Sequence, residues 1–339
     1  MTFLVEIPGL LTTVQDGGRR GYERFGVSPS GPMDRLSFQI ANILVGNPRD
    51  ESALEATIAG PTLVFDGDGV IALTGADMGA ALNGTPCPTC HAVAVHAGDR
   101  LTMGTASRGC RSYIAFAGGL NVPVVMGSRS TALQNRLGGH EGRKLAAGDV
   151  LSTRPALLPQ HPEQRRTAVR PMGGDATVRV ILGPQEELFT REGLDTFLTG
   201  SYTVGNDSNR MGCRLTGPVI RHREDGNILS DGMVAGAIQV PTSGQPIIMM
   251  AERQTVGGYT KIAAVISADL PLVGQCRPGD TLRFRAVSVE EAHHAWRQQN
   301  RMLEELEADL SRPGVSFPVK HYRICLNGTP YDVQIQRTE

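Results

Sequence analysis

One short unit recurs three times in this chain and constrains its fold more than any other feature. Ala97-Gly98-Asp99-Arg100-Leu101, Ala147-Gly148-Asp149-Val150-Leu151 and Pro278-Gly279-Asp280-Thr281-Leu282 share one order: a Gly-Asp turn, then alternating apolar residues. Gly supplies a turn conformation that side chains disfavour, Asp bonds its own backbone, and the alternation reads as a strand. Each copy closes a long segment of short apolar runs. Thr62 to Phe65, Val70 to Leu73, Ala92 to Val95 and Ser112 to Phe116 read as strands before the second copy. Val178 to Leu182, Ala237 to Val240 and Ile247 to Met250 read the same way before the third. Short strands at close spacing, in a chain with 41 Gly and 21 Pro, indicate a β-barrel or sandwich.

A chain of 339 residues exceeds one ordinary core. The simplest account is mainly β: two β-barrels in tandem, with few helices. The first spans 1–155 and the second 176–287. Between them, 156–175 reads as a linker, because the stretch from Thr153 carries Pro155, Pro159, Pro162 and Pro171, then Gly173-Gly174, with little periodicity. Residues 288–339 form an amphipathic helix and a hairpin tail. Ser288 and Glu291 make a capping box, with Ala292, Ala295, Trp296, Leu303, Leu306 and Leu310 at helical spacing. The tail pairs 322–326 with 329–335 around Asn327-Gly328. Asp34 caps a helix stopped by Gly46, and Glu186 to Leu198 can be helical.

Charge excludes several functions. Lys and Arg number 33 against 34 for Asp and Glu, which leaves no electrostatic footprint for nucleic acid or an anionic membrane. No stretch has transmembrane length, and the N-terminus lacks a signal-peptide pattern, so a cytoplasmic location is expected. Cys87-Pro-Thr-Cys90-His91 resembles haem, zinc or redox patterns, but the chain offers no second ligand pair, so a structural role and no metal are expected. P-loop, nucleophile-elbow, zinc-helix and biotinylation motifs are absent.

Three segments carry candidate chemistry. The first is Gln15-Asp16-Gly17-Gly18-Arg19-Arg20-Gly21-Tyr22 with Ser28 to Asp34 behind it: an acid, guanidinium groups and a phenol on a flexible loop. The second is Gly127-Ser128-Arg129-Ser130-Thr131, hydroxyls flanking an arginine, which suits an oxyanion. The third, 251–269, gathers Arg253, Gln254, Thr255, Tyr259 and Lys261 around Gly257-Gly258 before an apolar strand. The glycines allow positive φ or close approach of a ligand. Asn206 to Gly212 is a weaker fourth loop. The alternatives are plain turn chemistry and loop-fixing ion pairs.

The order of these motifs resembles the biotin-dependent carboxyltransferase family, also called allophanate hydrolase subunit 2. The resemblance rests on Gln15-Asp16-x-Gly18-Arg19-x-Gly21-Tyr22, Gly26-Val27-x-Pro29-Ser30-Gly31-x-Met33-Asp34 and Ala41-Asn42-x-Leu44-Val45-Gly46-Asn47. It continues through Leu54-Glu55, Gly60-Pro61-Thr62, Leu73 to Asp77, Ala117-Gly118-Gly119, Gly127 to Thr131, Gly236 to Pro241 and 251–269. It implies cyclophilin-like β-barrels and a partner of the allophanate hydrolase subunit 1 type. Within the family the chain looks most like the C component of ATP-dependent 5-oxoprolinase, which helps open a cyclic lactam to glutamate. That reading adds a third, lactam-binding subunit, a small amide substrate, and ATP used by the complex but bound on a partner. A urea-carboxylase-like carboxyltransferase, for which biotin is needed, and a non-enzymatic antagonist of a kinase inhibitor are the alternatives. The tail hairpin is similar to the opening strands of a biotin-carrier domain, and a docking role suits it better.

Polarising a planar amide calls for cations and fixed hydroxyls in a pocket closed to water. Arg129, Arg253 and Lys261 are therefore expected on substrate oxygens, with Asp16 or Tyr259 as the proton-transfer group. Arg19, Ser128, Ser130, Gln254, Thr255, Gly257 and Gly258 are expected to bind substrate. The three segments should meet in one cleft.

Overall fold

The computed structural model describes residues 1–168, 174–311 and the backbone of the strands Lys320–Leu326 and Thr329–Ile335. All three repeated units form the same device. Gly98, Gly148 and Gly279 have φ of 90°, 90° and 95°. Each donates its N–H to a neighbouring strand, at Phe65, Val5 and Val204 respectively. Asp99, Asp149 and Asp280 each accept, on a side-chain oxygen, the N–H three residues earlier. The strands Arg100–Thr102, Val150–Ser152 and Thr281–Ala286 follow directly. The unit is thus a self-bonded turn that docks on one strand and launches the next.

The first half is two sheets, of six and five strands, facing each other. Phe3 and Phe65 from one sheet meet Leu54, Ile71, Ile114 and Phe116 from the other in a single buried core. The rings of Phe3 and Phe116 stack at 4.8 Å. In the second half, seven strands from Ala176–Leu182 to Thr281–Ala286 close into a barrel around Val178, Val180, Ile238, Ile248, Ile262 and Leu282. The first and last strands of this barrel pair in parallel and its other pairs are antiparallel. The mainly β architecture expected from the sequence therefore holds.

Helices among the described residues are few. Arg35–Leu44 is capped by Asp34, which accepts the Ser37 N–H at 2.9 Å. The helix expected from Glu186 splits into a short turn, Glu186–Leu188, and a helix, Arg191–Thr199, whose cap is Thr190. The reason is local: Thr190 accepts from Gly193 N, so the helix restarts there. Val289–Ser311 has the capping box anticipated, with Ser288 N donating to Glu291 and Glu291 N to Ser288. This helix touches both halves. Ala292 and Ala295 pack beside Ile266 of the second, whereas Leu303 packs with Phe38, Leu44 and Tyr113 of the first. Trp296, expected in its apolar stripe, is instead half exposed, because it faces a cleft rather than the core.

Arg165 shows how the connecting segment is held. Its guanidinium donates to Ile43 O and Leu44 O, at the C-terminus of one helix, and to Leu310 O near the end of the other. Ile43 O also accepts the Gly46 N–H at 3.0 Å, and a cation at a helix C-terminus meets the negative end of the helix dipole. Ala92 N donates to Arg165 O, so this part of the connector lies along the first half. The tail strands pair in antiparallel register from Lys320↔Ile335 to Leu326↔Thr329. The expected Asn-Gly turn, like Pro171 and Gly173 of the connector, lies outside the described residues. No helix among the described residues is long and apolar enough to cross a membrane. No disulfide joins the cysteines whose side chains are described.

Candidate active site

A cleft of about 500 Å³ opens where the two halves meet. One wall is the first half's loop with Gly17, Arg20, Glu23, Pro29 and Ser30, continuing into Arg35 on the first helix. The other is apolar, made by Met249, Met250 and Leu270 of the second half and by Trp296. Arg253 comes from the second half. Three guanidinium groups thus face one carboxylate, that of Glu23, so the cleft favours an anion.

Burial lowers the pKa of Arg253, and the charge of Glu23 offsets part of that. Arg253 Nε donates to Met233 O at 3.0 Å, which orients its fork. Burial likewise lowers the pKa of Arg35; Asp50 opposes the shift and nearby Arg20 adds to it. Two like charges held together, one of them partly desolvated, are favoured by an incoming anion. Arg35 is fixed by two bonds to Asp50 at 2.9 and 3.0 Å. Ser30 is buried, has φ of 55°, and its Oγ has no partner although it lines the cleft. A buried hydroxyl left unbonded is costly, which marks a place for a ligand oxygen or nitrogen.

A buried ionic cluster holds these walls together. Arg210 donates from Nε to Glu252 at 2.6 Å, from Nη1 to Glu55, and from Nη2 to Gly31 O at 2.7 Å. Glu55 also accepts from Met33 N and from the Tyr113 hydroxyl, both at 2.8 Å. Burial opposes the charge on Arg210, but the two carboxylates outweigh it and raise its pKa. Nearby, Gln275 donates to Asp34 at 2.7 Å and accepts from the N–H groups of Cys110 and Arg111. Burial raises the Asp34 pKa against its bonds to Ser37 and Gln275. A Cβ on Gly274 would stand 2.4 Å from Met33 O, so only glycine lets the halves approach this closely.

The residues proposed from sequence are distributed differently from the single cleft expected. Asp16 is a loop knot. Its carboxylate accepts from Gly18 N at 2.9 Å, Ser128 Oγ at 2.5 Å, Ser130 Oγ at 2.7 Å and the Arg129 N–H. Ser128 and Ser130 are buried in that knot. Arg19 is fully buried behind it, donating to Val125 O and Ser130 O. The 127–131 segment therefore supports the first loop from behind and does not line the cleft. Its Arg129 is half-buried, with an unpartnered Nε.

Nor does the third segment face one way. Arg253 enters the cleft between the halves, while Gln254 and Tyr259 line a second cleft on the barrel. Lys261 is buried and donates from Nζ to Asp231 at 2.7 Å, away from both. Gly257 and Gly258 are not a turn. They belong to the strand Val256–Tyr259, paired with Asn227–Gly232, and neither has a positive φ. Thr255 accepts from Met233 N through its carbonyl. Sequence reasoning missed Glu23, Arg35, Trp296, Glu252 and Gln275 as site or junction residues. No spacing rule joins them, because the contact between the halves brings them together.

Comparison with known proteins places this architecture. The family model for the carboxyltransferase domain, subdomain A and B, matches residues 25–286. The chain belongs to this family. It is 40% identical to the C component of 5-oxoprolinase from Escherichia coli over 88% of this chain and 95% of that protein. Identity to the C component of 5-oxoprolinase from Haemophilus influenzae is 37%, covering 87% and 94%. The urea amidolyase of Lachancea kluyveri is 37% identical over 94% of this chain, which spans only 19% of that protein. The crystal structure of Kluyveromyces lactis urea carboxylase superimposes with a TM-score of 0.84 at 32% identity, covering 99% of this chain and 32% of that one.

Proposed function

We propose that the chain is the C component of a 5-oxoprolinase-type complex and that the cleft between the halves is where it meets the lactam. The observation that carries this reading is the charge on the lining of the cleft: Arg20, Arg35 and Arg253 against Glu23, with Arg35 also paired to Asp50 from outside the lining. 5-Oxoproline brings a carboxylate and a lactam carbonyl, two oxygen sites that guanidinium groups recognise. Urea is neutral and gives such a cleft less to bind. The two 5-oxoprolinase relatives are matched over nearly their whole length, which supports the same choice.

Arg253 donates to the lactam carbonyl and stabilises the charge that grows on its oxygen as water adds. Arg20 and Arg35 hold the carboxylate. Ser30 Oγ takes a further substrate atom. Ring opening breaks the C–N bond, and the departing nitrogen needs a proton. In this reading Glu23, the carboxylate on the cleft wall, moves it. Asp16 positions the loop through its four bonds, and Tyr259 stands at the other cleft. ATP is used by the complex and bound on a partner of the allophanate hydrolase subunit 1 type or on a third subunit. The complex works in the cytoplasm.

The test is reconstitution of this chain with its partner subunits, with glutamate as the readout. The expected result is glutamate formed from 5-oxoproline only when ATP and this chain are both present. Turnover of urea that depends on biotin, with none of 5-oxoproline, would overturn the reading in favour of a carboxyltransferase. Tight binding of a partner without any amide turnover would overturn it in favour of a non-enzymatic antagonist.

A further inference from the structure

The loop from Arg20 to Val27 is a self-contained unit on a fixed base. Arg19, fully buried, donates its backbone N–H to Pro29 O at 2.6 Å and so holds the two ends of the loop together. Ser28 Oγ donates to Ala251 O at 3.1 Å, which ties one end to the second half. Between these feet the hydrogen bonds are internal. Phe25 N and Val27 N donate to Tyr22 O, Gly26 N to Glu23 O, and Gly21 N to the Glu23 carboxylate. Residues 20–27 make no hydrogen bond or ion pair beyond the loop among the described residues. A compact loop with joined ends and no outside bonds moves as a body at low cost.

Its glycines divide the same way. At the base, a Cβ on Gly18 would stand 3.2 Å from Pro29 O, and one on Gly31 would stand 3.3 Å from Asp16 O. On the loop, Gly21 and Gly26 have φ of 90° and 78°, and no atom lies within 4 Å of where either Cβ would be. The base is packed and the loop above it is in the open. The three arginines of the cleft divide likewise. Arg35 is held by Asp50, and Arg253 by Met233 O. Arg20 rides on the loop, is exposed, and has no bonded partner among the described residues. It stands close enough to Arg35 for the two charges to repel.

We propose that residues 20–27 form a lid over the cleft between the halves, shut by a ligand carboxylate that bridges Arg20 on the loop to Arg35 on the helix. This rests on the lactam site proposed above and adds how that site closes. With the cleft empty, Arg20 and Arg35 repel and the loop stands off. A carboxylate between them turns one repulsion into two attractions. The closed form then binds the anion better than the open one, and binding populates it. Glu23 travels on the same loop, so closure sets it over the substrate and excludes water from the polarised carbonyl. A lactam without a carboxylate has no hold on Arg20 and leaves the loop open.

The test uses the full chain, 5-oxoproline, and 2-pyrrolidinone, the same ring without its carboxylate. Titration calorimetry measures binding. Trp296, the chain's one tryptophan, lines this cleft, so its emission reports occupancy there. Hydrogen exchange read by mass spectrometry follows the amides of 20–27. Bound 5-oxoproline is expected to slow their exchange by about tenfold or more, as a loop passing into a closed state does. 2-Pyrrolidinone, at the highest occupancy reached, should leave it unchanged. Arg20→Met should melt with the parent, bind 5-oxoproline about tenfold more weakly for want of one charged contact, and show no slowing. The lid is overturned, with the lactam site left standing, if 5-oxoproline binds and changes Trp296 emission while exchange of 20–27 stays as in the empty chain. It is overturned equally if the slowing persists in Arg20→Met, or if 2-pyrrolidinone slows exchange as much at equal occupancy. If 5-oxoproline binds neither the chain nor the reconstituted complex, or binds without changing Trp296 emission and as well to Arg253→Met, the lactam site falls and the lid with it.

Discussion

Arg210 donates to Glu252 at 2.6 Å with both side chains buried, and the same guanidinium reaches across to Glu55 of the first half. One cation therefore serves two carboxylates at the seam. Removing it leaves two buried acids uncompensated. Arg210→Met is expected to cost about 3–5 kcal/mol of stability, the range for breaking a buried pair. Glu252→Gln should cost less, since Arg210 keeps Glu55. Urea unfolding of the two variants measures the difference, and equal losses would show that the cluster does not carry the seam.

Arg253 has its Nε committed to Met233 O, and the fork beyond it is left for a ligand. In the reconstituted complex, Arg253→Met should lower turnover of 5-oxoproline by about a hundredfold or more, as loss of a donor to a developing oxyanion does. Its melting temperature should stay near that of the parent. Arg253→Lys should recover only part of the rate, because an ammonium lacks the planar fork. Full activity in Arg253→Met would take this residue out of the site.

Asp16 accepts four hydrogen bonds and in this arrangement has no lone pair committed to the cleft. Asp16→Asn replaces one acceptor by a donor and sets it against N–H and O–H groups that also donate. A loss of about 1–3 kcal/mol follows from the unpaired buried groups, and activity should fall with stability. A variant that keeps its melting temperature and loses all activity would instead make Asp16 the proton-transfer group.

Asp149, in the second copy of the repeated turn, is held by Arg143 at 2.7 and 2.8 Å. The Arg143 hydrogen bonds lower its pKa from 3.8 to about 2, with Ala146 N and the charge of His140 helping and burial opposing. The folded state therefore favours the ionised form. Its contribution is complete above the ordinary carboxylate pKa and is lost as pH falls through about 2. Between those limits, Asp149→Asn should show a flatter dependence of stability on pH than the parent, measured by thermal melts in an acid series. Parallel curves would show that the pair contributes nothing.

Much of this fold was legible because its signals are local. The Gly-Asp units needed only one turn and one alternating strand, and all three formed as expected. Asp34 and Ser288 were readable as caps for the same reason. The Trp296 position was not, since helical spacing tells which residues share a face but not whether that face meets core or cleft. The candidate site was half legible. Charged loops could be picked out, but Arg253 and Gln254 are neighbours in sequence and line different clefts. Polar composition assigns residues to a segment, and only the tertiary path of that segment divides them. Glu252 and Gln275 had no sequence signal, because burial between the halves is what gives them partners.

Arg165 anchors a proline-rich crossing to the ends of two helices, one of which runs along both halves. A stretch of that composition ordinarily behaves as a pivot. Here its described part, up to Ala168, is pinned to the first helix and to the long helix, while the Arg210 cluster ties the two walls of the central opening to each other. Selectivity at that opening then draws on walls already joined before a ligand arrives.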